Sequence, residues 1–112
     1  MYLPKKDIYD LLKANLNCGV AQTQPTVFND LPFINFEVSN NSVELMLSND
    51  IAYQNIEITI HIWADNSVSA SNLLSSVEEL LRQNGYQLTY SADVPNIGDI
   101  FHIVTRFIKV VG

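Results

Sequence analysis

The sequence predicts an α+β domain of two layers: a mostly antiparallel, four-stranded sheet with two helices packed on one face. Three observations carry this. Residues 55–64 read Asn-Ile-Glu-Ile-Thr-Ile-His-Ile-Trp-Ala, with an isoleucine at every second position. Successive side chains of a strand point to opposite faces, so this segment is a strand with one apolar face. Residues 3–16 and 68–84 instead repeat apolar residues at three- and four-residue spacing, the pattern of an amphipathic helix. Finally, the order helix, strand, strand, helix, strand, strand does not alternate strictly, which argues against a parallel βαβ sheet.

The first helix opens at Pro4, a residue suited to a first helical position because it needs no N–H donor there. Ile8, Leu11, Leu12 and Leu16 form its apolar stripe, and Lys5, Lys6, Asp7, Asp10 and Lys13 its polar side. Asn17-Cys18-Gly19 ends it, with Gly19 able to take a left-handed cap. Residues 20–27, interrupted by Pro25, read as an extended connection able to supply a short edge strand. After the turn signal Asn29-Asp30-Leu31-Pro32 comes a strand over 33–39, burying Ile34, Phe36 and Val38.

Asn40-Asn41 marks a turn, and residues 42–49 read as an arm or an extra short strand. The central strand spans 50–64, with an irregularity expected near Tyr53-Gln54-Asn55. Asp65-Asn66-Ser67 supplies caps for the second helix. Its core stripe is Ala70, Leu73, Leu74, Val77, Leu80 and Leu81, and Gly85 stops it. Residues 86–94 and 100–110 form a terminal hairpin around a five-residue loop at 95–99.

The bulk properties narrow the function classes. The 112 residues fit one domain, 1–112, large enough for its own core. Only 16% are charged, which suits a surface partly covered by other subunits. A net charge of −6, with Lys and Arg scattered, lacks the basic footprint of a nucleic-acid binder. A lone cysteine, Cys18, forms no intrachain disulfide and fits a reducing compartment. The N-terminus passes straight into a helix start, so no secretory signal is expected. No apolar run approaches the ~20 residues that span a bilayer, and no membrane partner is expected.

The constellations tested for chemistry come out structural. Cys18 sits at a helix C-terminus, where the dipole disfavours a thiolate, so no thiol–imidazole pair with His61 or His102 is expected. Glu57, His61 and His102 meet only if the central and last strands are neighbours, and Glu57 lies about 13 Å from His61 along a strand. Two histidines without a spaced third ligand are a poor metal signature. Glu78 and Glu79 point roughly 100° apart on a helix and cannot share a proton. The isolated glycines make no phosphate loop. No catalytic residue, cofactor or metal is expected, and the protein reads as a non-enzyme.

The last strand places Ile100, Val104, Ile108 and Val110 beside His102 and Arg106, on the face opposite Phe101, Ile103 and Phe107. Both faces are rather apolar, and Trp63 adds to the one away from the helices. An apolar patch on an open sheet face implies a partner. Met46, Tyr53, Trp63, His102, Arg106 and Ile108 are the expected oligomer-interface residues. Trp63 and Ile108 should then be replaceable without loss of the fold.

The strand Ile56-Glu57-Ile58-Thr59-Ile60-His61-Ile62-Trp63-Ala64 resembles that of small tail-completion, or tail-terminator, proteins of long-tailed bacteriophages and prophages. The polar turn and long helix that follow, the Gly85-Tyr86 step, the last strand with Arg106-Phe107, the opening helix and Leu31-Pro32-Phe33-Ile34 fit the same order. The resemblance implies a virion assembly protein that caps the tail tube as a homo-oligomeric ring, expected to be a hexamer. It implies tail tube protein and head connector proteins as partners. It places the protein in the virion, at the head–tail junction, after assembly in the bacterial host cytoplasm. DNA would pass through the lumen without sequence-specific binding, since an acidic bore repels it. A head–tail connector adaptor or other minor tail component is the alternative, and a small ligand-binding or enzymatic domain the third reading.

Overall fold

The computed structural model describes residues 4–16, 18–21, 32–45, 52–97 and 100–111. The elements run α1 (Pro4–Asn15), β1 (Gly19–Ala21), β2 (Phe33–Leu45), β3 (Ala52–Ala64), α2 (Ser67–Gln83), β4 (Gln87–Ile97) and β5 (Ile100–Val111). The sheet has five strands, not four, in the order β1-β2-β3-β5-β4. The added strand is β1, which pairs parallel to β2 at the edge; every other pairing is antiparallel. Both helices cover one face, α1 over β1 and β2, and α2 over β3, β5 and β4.

The isoleucine alternation builds this layer. Ile56, Ile58, Ile60 and Ile62 are all at most 1% exposed. Cross-strand register puts Ile34 beside Ile62, Phe36 beside Ile60, Ile103 beside Ile62 and Phe107 beside Ile58, so one dry face runs across three strands. From the helices, Ile8, Leu12, Ala70, Val77 and Leu81 close over it, joined by Val20 and Tyr86.

Helix ends follow local chemistry. The Asn66 side chain accepts the Ser69 N–H at 2.7 Å and caps α2. At the other end Gly85 takes φ +88°, the Tyr86 N–H reaches the Leu81 carbonyl at 2.9 Å and the Gly85 N–H reaches Arg82 at 3.2 Å. This six-to-one and five-to-two pair is a Schellman stop, and it drops Tyr86 into the core. Gly19, by contrast, is not a cap. It opens β1 opposite Phe33, and a Cβ there would lie 2.7 Å from the Phe33 ring. What glycine supplies is room rather than a left-handed turn.

Two turn signals yield to strand pairing. No turn forms at Asn40-Asn41: β2 runs on to Leu45 because β3 offers a ladder partner for Asn40, Asn41 and every residue to Leu45, and the asparagines sit at a register shift after Val38. Residues 42–45 therefore extend β2 rather than forming an arm, while 46–49 lie outside the described residues. The irregularity expected near residues 53–55 is absent, since those residues pair in step with 42–44. Pro95 and Asn96 lie within β4 and Ile97 pairs Ile100, so the expected five-residue loop is not kept; Gly98 and Asp99 lie outside the described residues. A proline is tolerated there because β4 is an edge strand.

Ile60 is fully enclosed between the sheet and the helices. Ile60→Ala is expected to lower unfolding free energy by about 2–5 kcal/mol in urea titrations, with the folded CD spectrum retained at low denaturant.

Candidate assembly surface

The face of the sheet away from the helices is built from the alternate residues: Asn35 and Glu37 on β2; Glu57, Thr59, His61 and Trp63 on β3; His102, Val104, Arg106, Ile108 and Val110 on β5. Among the described residues no helix lies on it. It divides into a polar, closely fitted half and an apolar, open half.

The polar half centres on Trp63. Its indole Nε1–H donates to Asn35 Oδ1 at 2.6 Å, and its ring stacks on His102 with centroids 3.7 Å apart and planes 11° from parallel. His61 Nδ1 and His102 Nε2 lie 2.9 Å apart, one donating and the other accepting according to tautomer. On the far side of its ring, His61 Nε2 is 3.9 Å from Glu37 Oε1. The neighbouring row is also satisfied: the Thr59 hydroxyl donates to Ser39 Oγ at 3.1 Å, and the Ser39 hydroxyl donates to Glu57 Oε1 at 2.9 Å. Glu57 thus serves Ser39, and Glu37, from the next strand, is the carboxylate at the histidines.

Burial sets the protonation of the pair. It pushes His61 below its ordinary value of 6.5, with Glu37 pulling the other way. His102 falls further, to about 4, through burial first and the nearby His61 charge second. Both rings are neutral at pH 7. Among the described residues no three or more His, Cys, Asp or Glu side chains cluster as metal ligands would. Cys18 is half-buried, and burial raises its thiol pKa, with Lys13 pulling the other way, which favours the thiol over the thiolate.

The apolar half lies toward the start of β4 and the end of β5. Tyr90 is 48% exposed, Ile108 36% and Val110 58%. Arg106, itself exposed, sits over the Tyr90 ring at 5.2 Å from its centroid. Such a guanidinium–aromatic pair beside bare aliphatics has the composition of an interface core.

The sequence-named interface residues separate accordingly. Arg106 and Ile108 are on the open half. His102 is half-buried in the polar half. Trp63 occupies the face assigned to it, yet it is only 6% exposed, because Asn35 binds its N–H and His102 covers its ring. It belongs to the monomer's own packing and offers little to a partner, contrary to the expectation that it could be replaced freely. The Tyr53 backbone pairs with Glu44 in β3, and its side chain lies outside the described residues, as does Met46. Sequence reading missed Asn35, Glu37 and Tyr90. Asn35 and Glu37 were on the polar side of their strand, but their partners depend on register between strands. Tyr90 follows a register shift after Leu88 that moves it onto this face.

No protein-family model and no curated protein matches the sequence. Among solved structures, a chain from the virion of a native gene transfer agent particle shares the fold, with a TM-score of 0.57 and 11% identity over 90% of this chain and 88% of that one.

Because its donor is satisfied and its ring covered, Trp63→Ala is expected to destabilise the isolated chain by about 3–5 kcal/mol in urea unfolding. A cost below about 1 kcal/mol would show that the indole contributes to assembly rather than to the fold.

Proposed function

We propose that this chain is a structural, non-catalytic protein of a phage-like virion, acting as a tail terminator that closes the tail tube as a ring and prepares it for the head. The observation that carries this reading is the end-to-end likeness of fold to a virion chain. The tail-completion-like order of elements, read from the sequence alone, points the same way. Ring closure requires a heterologous contact, one surface of a copy against a different surface of the next. The apolar half of the open face, with Tyr90, Arg106, Ile108 and Val110, is one side of that contact. In the ring a net charge of −6 per copy favours passage of DNA without sticking.

A head–tail adaptor is the second reading, since the same fold and patch serve either joint. Deleting the gene separates the two: tails of uncontrolled length identify a terminator, whereas normal tails lacking heads identify an adaptor.

For the ring itself, light scattering across concentration is expected to show assembly toward a hexamer. Ile108→Asp should shift that assembly to higher concentration by at least about tenfold while leaving the CD spectrum unchanged, because it places a charge in an apolar contact. A strict monomer at every concentration and in the presence of tail tubes refutes this reading.

A further inference from the structure

We infer that His61 and His102 form a proton-operated latch on the open sheet face, holding Trp63 in its seat while they share one proton and releasing it when both rings are charged.

The geometry allows one proton between the rings and no more. In the neutral pair a single hydrogen fills the 2.9 Å gap between His61 Nδ1 and His102 Nε2. A first added proton leaves the bond intact whichever tautomer it meets. His61 then carries hydrogens on both nitrogens, Nδ1–H donating to His102 and Nε2–H directed to Glu37 Oε1, 3.9 Å away. His102 keeps its hydrogen on Nδ1. A second proton has only His102 Nε2 to occupy. That sets N–H against N–H across the gap and two cations with ring centroids 5.1 Å apart. The pair must part, and the ring that moves is the one stacked on the indole at 3.7 Å.

The surrounding charges act on this order in both directions. From β2, Glu37 favours a cation on His61 rather than on His102. On β5, Arg106 shares the face with His102 but stands four residues along the strand, with its guanidinium over Tyr90. From β4, the Asp93 carboxylate shares a cleft with His102 and favours a cation there, whereas Ser67 at the start of α2 brings to the same cleft a positive helix end that opposes one. On β3 the flanking Thr59 and Trp63 are uncharged. The two rings therefore titrate as a coupled pair in separated steps.

The sign of the effect on stability follows. An unfolded histidine takes its proton near 6.5, whereas the folded His102 holds out to about 4. Between these values the unfolded chain binds more protons, so the folded state is fully favoured above pH 6.5 and loses stability as pH falls toward 4. The effect on assembly rests on the terminator reading: release of Trp63 and two new charges would disorder the face on which the ring contact is placed.

Trp63 is the sole tryptophan, so its fluorescence reads the latch directly. Titrated from pH 8 to 3.5, the protein is expected to show an emission change with a midpoint well below 6.5, as His102 gains charge against the indole and then leaves it. His61→Phe keeps a ring in place but removes the competing cation, and should move the midpoint up by roughly one pH unit or more. His102→Phe should abolish the change. An unmoved midpoint in the first variant, or a persisting transition in the second, overturns the latch. Should either variant lose its far-UV CD signal at pH 7, proton NMR of the wild-type imidazoles decides: two steps separated by more than roughly one pH unit support the pair, and coincident steps near 6.5 overturn it. Light scattering over the same range tests the coupling to assembly. A protein that assembles at no pH contradicts the terminator reading, while the fluorescence and NMR titrations still judge the latch.

Discussion

Everything in this molecule is placed by the dry face of β3. Four isoleucines at alternate positions give a continuous aliphatic surface, and each is enclosed to at least 99%. Burying such a side chain contributes about 1.5–3 kcal/mol relative to leaving it in water, so the face must be covered. The chain covers it twice over, laterally with β2 and β5 in register and vertically with α1 and α2.

The constraint on the other face is different in kind. A central strand flanked on both sides must satisfy its outward side chains across strands, and here it does so with directional groups. Asn35, Trp63, His102, His61 and Glu37 form one connected row, and Thr59, Ser39 and Glu57 a second. Polar groups held in this way are costly to disturb, since loss of one partner strands the next. While the two imidazoles are neutral the polar half is therefore fixed, and adaptability is confined to the apolar half where Tyr90, Ile108 and Val110 meet solvent.

How much of this was legible in the sequence depends on the range of the interaction. Two-residue and helical periodicities are local, and they located both helices, the central strand, its buried face and the Gly85 stop. The arrangement of two layers with helices on one face followed from them. Features that need a partner from elsewhere were not legible. Gly19 reads as a cap until Phe33 is known to lie against it. Asn40-Asn41 reads as a turn until β3 is known to run alongside. Glu57 can be set aside as a partner of His61 by its distance along the strand, but the carboxylate that does approach, Glu37, is known only once the register brings it diagonally across. Trp63 reads as exposed for the same reason: alternation gives its face, but only the neighbouring strands supply the amide and imidazole that enclose it.

The two faces also differ in how freely their residues can drift over evolutionary time. An isoleucine on the dry face can be exchanged for another aliphatic of similar volume at a cost usually below about 1.5 kcal/mol, provided the neighbours adjust. Many unrelated-looking sequences therefore meet its requirements, and the architecture can persist long after pairwise likeness has faded. The hydrogen-bonded row permits no such wandering by single steps: changing Asn35 removes the acceptor of the indole N–H, and changing His61 removes the imidazole that His102 bonds. Those positions would have to change together or not at all, so a trace of common descent should outlast the isoleucines in them.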